Sequence, residues 1–148
     1  MKVTPDIMLL CVGRMKNRHI SALVDDYLDR LRHEAYIEVR EIKDSNRNTE
    51  GVRISTLLDT VRGRTFAVSE EGRHLTSRQL ASTIETLNRK IIFVVGGPGG
   101  LSGPAKKKCD EVISLSSFTF THEIARLLLV EQLYRACSIL HSRPYHKG

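Results

Sequence analysis

The stretch of this chain best suited to hold a small molecule is Gly96-Gly97-Pro98-Gly99-Gly100, four glycines around a proline. Glycine lets the backbone take positive φ and come close to a ligand, although a tight strand-to-helix turn would use the same residues. Neither common phosphate cradle is present. A P-loop needs G-x-x-x-x-G-K-[ST], and no Lys-Ser or Lys-Thr follows the right glycine. The dinucleotide fingerprint G-x-G-x-x-G fails because Ser102 stands where its third glycine belongs. A nucleoside without a phosphate fits better than a nucleotide, and S-adenosylmethionine answers that description.

Other chemistry-bearing residues exclude more than they suggest. His19, His33, His74, His122, His141 and His146 lack metal-ligand spacing and no H-E-x-x-H occurs, so no metal site is expected. Ser116 and Ser117 lack a surrounding G-x-S-x-G, which argues against a hydrolase. The Lys106-Lys107-Lys108 run reads more readily as a solvated helix face than as a binding patch. Cys11, Cys109 and Cys137 form no CxxC pair and leave one thiol over, which predicts a reduced protein of the cytoplasm, with Cys11 in an apolar run and Cys137 in a helical pattern expected to be buried. No charged segment leading into an apolar one opens the chain, and no apolar run approaches membrane-spanning length, so neither secretion nor a membrane is expected. Net charge is +6, from 23 Lys and Arg against 17 Asp and Glu. That excess suits an anionic partner whose counterions are released on binding, or simply a solvated basic surface. With 5% aromatic residues and no Trp, stacking on splayed bases is not an evident theme.

The elements that must position these residues alternate between strands and helices. Residues 7–13 (IMLLCVG) form an apolar run closed by glycine, as a strand buried on both faces requires. Ile20, Leu23, Val24, Tyr27, Leu28 and Leu31 recur at helical spacing. Residues 36–43 predict a strand, residues 44–51 a polar loop, and Ile54, Leu57, Leu58 and Val61 a helix stopped by Gly63. Residues 65–69 predict a short strand ending in a Glu-Glu-Gly turn. Thr76 and Gln79 make a capping box before the helix marked by Leu80, Ile84 and Leu87. Residues 91–95 (IIFVV) are the strongest buried strand. A short basic helix around residues 106–108 follows the glycine loop, then a strand over residues 112–116. The stripe Ala125, Leu128, Leu129, Leu133, Ala136 and Leu140 marks a long last helix before a polar tail. The alternation predicts one α/β domain over residues 1–148, with a mostly parallel sheet flanked by helices. In such sheets ligands sit beyond the carboxyl ends of the strands, which selects the loops at residues 69–73, 96–102 and 116–122.

The strings FVVGGPGGLS, SLSSFTFTHEIARLLLVEQLYRA and RPYHK, in that order over residues 93–147, together with the opening VGRMK, closely resemble the RlmH family of SPOUT-class RNA methyltransferases. The resemblance implies a deep C-terminal trefoil knot, an exception to the rule that chains do not thread loops. It also implies a homodimer, S-adenosylmethionine as methyl donor, and N3 of a pseudouridine in 23S rRNA of the assembled ribosome as acceptor. Carried over residue by residue, the cofactor pocket involves Ser69, Gly97, Ser116, Ser117, Phe118, Thr119, Phe120 and Thr121. Tyr145 and His146 lie near the target base, and Arg126 faces RNA or the dimer partner. This chain departs from the family in having Ser69-Glu70 where Leu-Asp is usual, Gly99 where a larger residue is common, and Thr121 where a proline is usual.

For that reaction the protein's main contribution is near-attack geometry. The acceptor N3 must lose a proton, and His146 is the candidate base; a purely RNA-positioning role for His146 is the alternative. His122 is expected to cap the last helix or shape its loop. A side chain at Gly97 is expected to invade the cofactor pocket, and the tail, too polar to join the core, is expected to complete the partner's site. The competing functions are a cofactor-less ribosome-binding factor of the same fold and a SPOUT methyltransferase acting on tRNA.

Overall fold

The computed structural model describes residues 4–148. Five strands, β1 (Asp6–Val12), β2 (Tyr36–Ile42), β3 (Arg64–His74), β4 (Ile91–Val95) and β5 (Glu111–Ser114), form one sheet in the order β2-β1-β4-β3-β5. Every strand pairing is parallel. The helices are α1 (Arg18–Arg32), α2 (Arg47–Leu58), α3 (Ser77–Leu87), α4 (Gly103–Lys108) and α5 (His122–Leu140).

Side chains alternate across a strand, and β1 shows what that does here. Ile7, Leu9 and Cys11 enter one core with Val24, Leu28 and Leu31 of α1, Ile84 of α3 and Leu129 and Leu133 of α5. Met8, Leu10 and Val12 enter the other, with Ile54 of α2 and Ala105 of α4. Both faces are covered, so the central strands must be apolar throughout, and β4 is buried at all five positions. Phe66 and Phe93 stack across the β3–β4 pair with centroids 5.6 Å apart. All three cysteines are buried and free, and burial pushes the thiols of Cys11 and Cys109 up to about 11 and that of Cys137 up to about 12.

Four boundaries differ from the sequence reading. Residues 44–51 are not all loop: the Asn46 side chain caps α2 by accepting from the Thr49 amide at 2.8 Å. Gly51 is inside that helix, where a Cβ would collide with the Ser102 hydroxyl of α4. Gly63 does not end α2, which stops at Leu58; it lies where a Cβ would stand 2.7 Å from the Lys90 carbonyl oxygen. The expected turn after Ser69 is a bulge within β3, because Val68 and Arg73 both register with Ile113. Finally, β5 ends at Ser114, whose hydroxyl donates to the Ser116 carbonyl at 2.7 Å and so turns the chain out of the ladder.

The tail is not idle. The Tyr145 ring packs edge-on against Tyr134 at 4.7 Å, and its hydroxyl donates to Glu131 at 2.7 Å. Burial first, then the Tyr27 and Glu131 hydrogen bonds, pushes the Tyr145 phenol well above its ordinary range. A tail expected to be too polar for the core thus packs against the body of its own chain, on α1 and α5.

Candidate functional site

The bulged middle of β3 and the carboxyl ends of β4 and β5 open into a cavity of about 830 Å³. Beyond β4, the Gly100 amide donates to the Gly97 carbonyl at 2.9 Å, folding the glycine loop back on itself. Gly100 sits at φ +75, and a Cβ on Gly96 would come 2.8 Å from the Gly100 carbonyl carbon. Gly96 is thus closed to a side chain by packing, and Gly100 disfavours one by its left-handed backbone, although the space beside it is open. Gly97 also lines the cavity, but its Cβ direction points the other way, 3.0 Å from Val12 Cγ1 and 3.7 Å from Glu50 Oε1. A side chain there would press on β1 rather than invade the cavity, correcting that expectation.

The β3 bulge supplies a second wall. The Ser69 hydroxyl donates to Glu71, and Lys106 sits 2.5 Å from the same carboxylate. The Lys106 hydrogen bond first, then that of Ser69, pulls the Glu71 carboxyl down to about 2. Neighbouring Glu70 accepts from the Thr119 hydroxyl, tying the bulge to the β5–α5 loop. In that loop the Ser116 hydroxyl accepts from the Phe118 amide at 3.1 Å, and Phe118 itself is 77% exposed. Thr121 caps α5, so His122 is the first helical residue and not the cap.

The structure therefore gathers most of the anticipated pocket residues around one cavity: Ser69 and Gly97 with Ser116, Phe118, Thr119, Phe120 and Thr121. Ser117 is exposed and lies outside the lining, and so do Tyr145 and His146, whose tail docks midway along α1 and α5. Arg126 does not face outward. It is 4% exposed, 2.6 Å from Glu41 Oε2, and donates to the Gly13 carbonyl at 2.8 Å. The guanidinium is consumed inside the chain, which corrects the expectation of contact with RNA or a partner.

A fourth loop was missed. Asn17, Ile20 and Glu123 also line the cavity, and Glu123 Oε1 accepts from the Lys16 and Asn17 amides at 3.1 and 3.0 Å. Asn17 caps α1, and its pairing with a glutamate 106 positions away leaves no local signal in the sequence. The chemistry of the whole lining is distinctive. It carries the carboxylates of Glu70 and Glu123 and the apolar side chains of Val68, Val95, Leu101 and Leu115, with no Lys or Arg among the described residues that line it. Among the described residues no group of three His, Cys, Asp or Glu could hold a metal ion, and no helix is long and apolar enough to cross a membrane.

The chain is similar to known proteins. A family model described as Predicted SPOUT methyltransferase matches residues 6–146. The ribosomal RNA large subunit methyltransferase H of Prochlorococcus marinus (strain NATL2A) is 41% identical over 142 residues, 94% of each chain. The protein of that name from Natranaerobius thermophilus is 36% identical over 93% of this chain and 97% of its own. A probable methylase family protein from Haemophilus influenzae Rd KW20 is similar in fold, with a TM-score of 0.61 over 96% of this chain and 70% of its own, at 12% identity. On these matches the chain belongs to the SPOUT methyltransferases and, within them, to the RlmH family.

Proposed function

We propose that this protein methylates N3 of a pseudouridine in 23S rRNA of the assembled ribosome, with S-adenosylmethionine as donor, as a cytoplasmic homodimer with the family's trefoil-knotted C-terminus. The observation that carries the reading is the lining of the cavity. In a chain of net charge +6, the described residues that line this cavity include no Lys or Arg but do include two carboxylates. A nucleotide would bring phosphate charge against Glu70 and Glu123, whereas a sulfonium nucleoside brings a positive charge. The volume, about 830 Å³, is within the usual range for small-ligand sites.

S-adenosylmethionine, when bound, supplies an electrophilic methyl group on sulfonium. The chain's own residues do the rest. The folded glycine loop offers backbone to the ligand, Val68, Val95 and Leu115 exclude water, and Glu70 and Glu123 favour the cation. The exposed cations Arg14, Lys16 and Arg18 after β1, with Lys43 and Arg47 after β2, stand at the same end of the sheet and suit RNA phosphates. Tyr145 and His146 belong near the target base in this reading. Because their tail docks away from its own cavity, it serves the cavity of the second chain across a two-fold axis.

Titration calorimetry tests the first step. S-adenosylmethionine should bind at one site per chain and ATP should give no heat at the same concentration. Binding of ATP with no heat from S-adenosylmethionine would contradict the proposal.

A further inference from the structure

His146 was the candidate for taking the proton from the acceptor nitrogen, and its surroundings decide what it can do. Its Nδ1 lies 3.1 Å from Arg135 Nη1. A guanidinium has five N–H donors and no acceptor, so this contact holds only if Nδ1 offers its lone pair. The ring hydrogen is then on Nε2. Arg135 is itself fixed: Nη2 donates to Glu131 Oε2 at 2.7 Å, and its Cζ lies over the Tyr145 ring at 4.8 Å. Glu131 also receives the Tyr145 hydroxyl at 2.7 Å, so in the 3.0 Å contact between the two hydroxyls Tyr27 is the donor. Arg78 of α3 holds the end of the tail by donating to the Gly148 carbonyl at 2.5 Å. Arg135 is thus the charged group in contact with the ring, Glu131 on α5 holds Arg135, Arg78 on α3 holds the end of the tail, and Tyr27 on α1 donates to Tyr145.

We infer that Arg135 is a positioning residue that sets His146 as the Nε2–H tautomer, making His146 a hydrogen-bond donor to a carbonyl oxygen of the target base and not the base that removes its proton. The inference rests on the proposed function for the identity of the substrate. During transfer the N3–methyl bond forms as the sulfur–methyl bond breaks, the bonding pair stays on sulfur, and the N3 proton passes to water. As N3 gives up that proton, negative charge spreads onto the two carbonyl oxygens flanking it. A fixed N–H aimed at one of them stabilises that charge, as an oxyanion-hole donor does. A ring whose Nδ1 is engaged by a guanidinium and whose Nε2 carries a hydrogen has no free lone pair with which to accept the proton. The two hydroxyls of the cluster are equally committed, Tyr27 to Tyr145 and Tyr145 to Glu131.

The tautomer is read without any substrate. Long-range proton–nitrogen spectra of the labelled protein at pH 8 should show His146 protonated at Nε2 only, and Arg135→Met should release it to a mixture of tautomers. An Nδ1–H ring, or a mixture already present in the wild type, overturns the inference. The role is read by single-turnover methylation of ribosomes. The Gln amide places a donor where Nε2–H was and cannot take up a proton. His146→Gln should therefore lose no more than about tenfold, while His146→Ala loses about 10²–10³-fold, as removal of one oxyanion donor does. If both variants fall equally, His146 is a base after all and the inference fails. A wild type that transfers no methyl defeats the functional reading instead, and the spectrum still decides the tautomer.

Discussion

Replacing Arg126 with Met keeps most of the buried stem and removes the guanidinium. Two contacts go with it: the 2.6 Å ion pair with Glu41 and the 2.8 Å hydrogen bond to the Gly13 carbonyl. A hydrogen bond to a charged group contributes about 1.5–3 kcal/mol net, and a buried acceptor left unpaired costs about 1–3 kcal/mol. The Glu41 side chain is 35% exposed and can rehydrate, which puts its share at the low end. The loss should be about 2–3 kcal/mol. For a chain of this size each kcal/mol moves Tm by about 2–4 °C, so the melting temperature should fall by about 4–12 °C. Thermal unfolding followed by circular dichroism measures it. Glu41→Gln should then cost clearly less in the Arg126→Met background than in the wild type, because the two share one interaction. If Arg126→Met melts within about 2 °C of the wild type and weakens only RNA binding or dimerisation, Arg126 serves a surface after all.

Gly97→Val should destabilise the fold by about 1–3 kcal/mol through overpacking, since its Cβ starts 3.0 Å from Val12 Cγ1; an unchanged melting temperature would show that the loop simply shifts away. The Glu71 carboxyl, lowered from 4.5 to about 2, should titrate near pH 2 by carbon-13 NMR. Because its folded value lies below the unfolded one, its contribution to stability is present above about pH 4.5 and fades as pH falls toward 2. Lys106→Met should move the midpoint back up, and no movement would deny Lys106 its role.

What the sequence revealed follows from how local each cause is. The strands at Ile91–Val95 and Asp6–Val12 were legible because burial on two faces leaves an unbroken apolar run. The Thr76–Gln79 capping box was legible because its partners are three residues apart. The start of α2 was not, since Asn46–Gly51 reads as polar loop and the reason it folds is tertiary. Glu50 is 3% exposed and accepts from the Ser45 amide, and Gly51 lets α2 lie on Ser102. The same applies at the site. Glycines and short polar residues at strand ends marked three of its loops, while the fourth is joined through Glu123 to amides more than a hundred positions earlier. The fate of Arg126 depended on Glu41, 85 residues away, and that of the tail on Tyr27, 118 residues from Tyr145.

The central claim is tested most directly on ribosomes from cells lacking this protein. These are incubated with the purified protein and S-adenosylmethionine carrying a labelled methyl group, and the RNA is digested and examined by mass spectrometry. The account predicts one labelled methyl, on N3 of a single pseudouridine in the large-subunit RNA, and none in the small-subunit RNA or in tRNA. Label found only in tRNA, or no label while S-adenosylmethionine is shown to be bound, would contradict it.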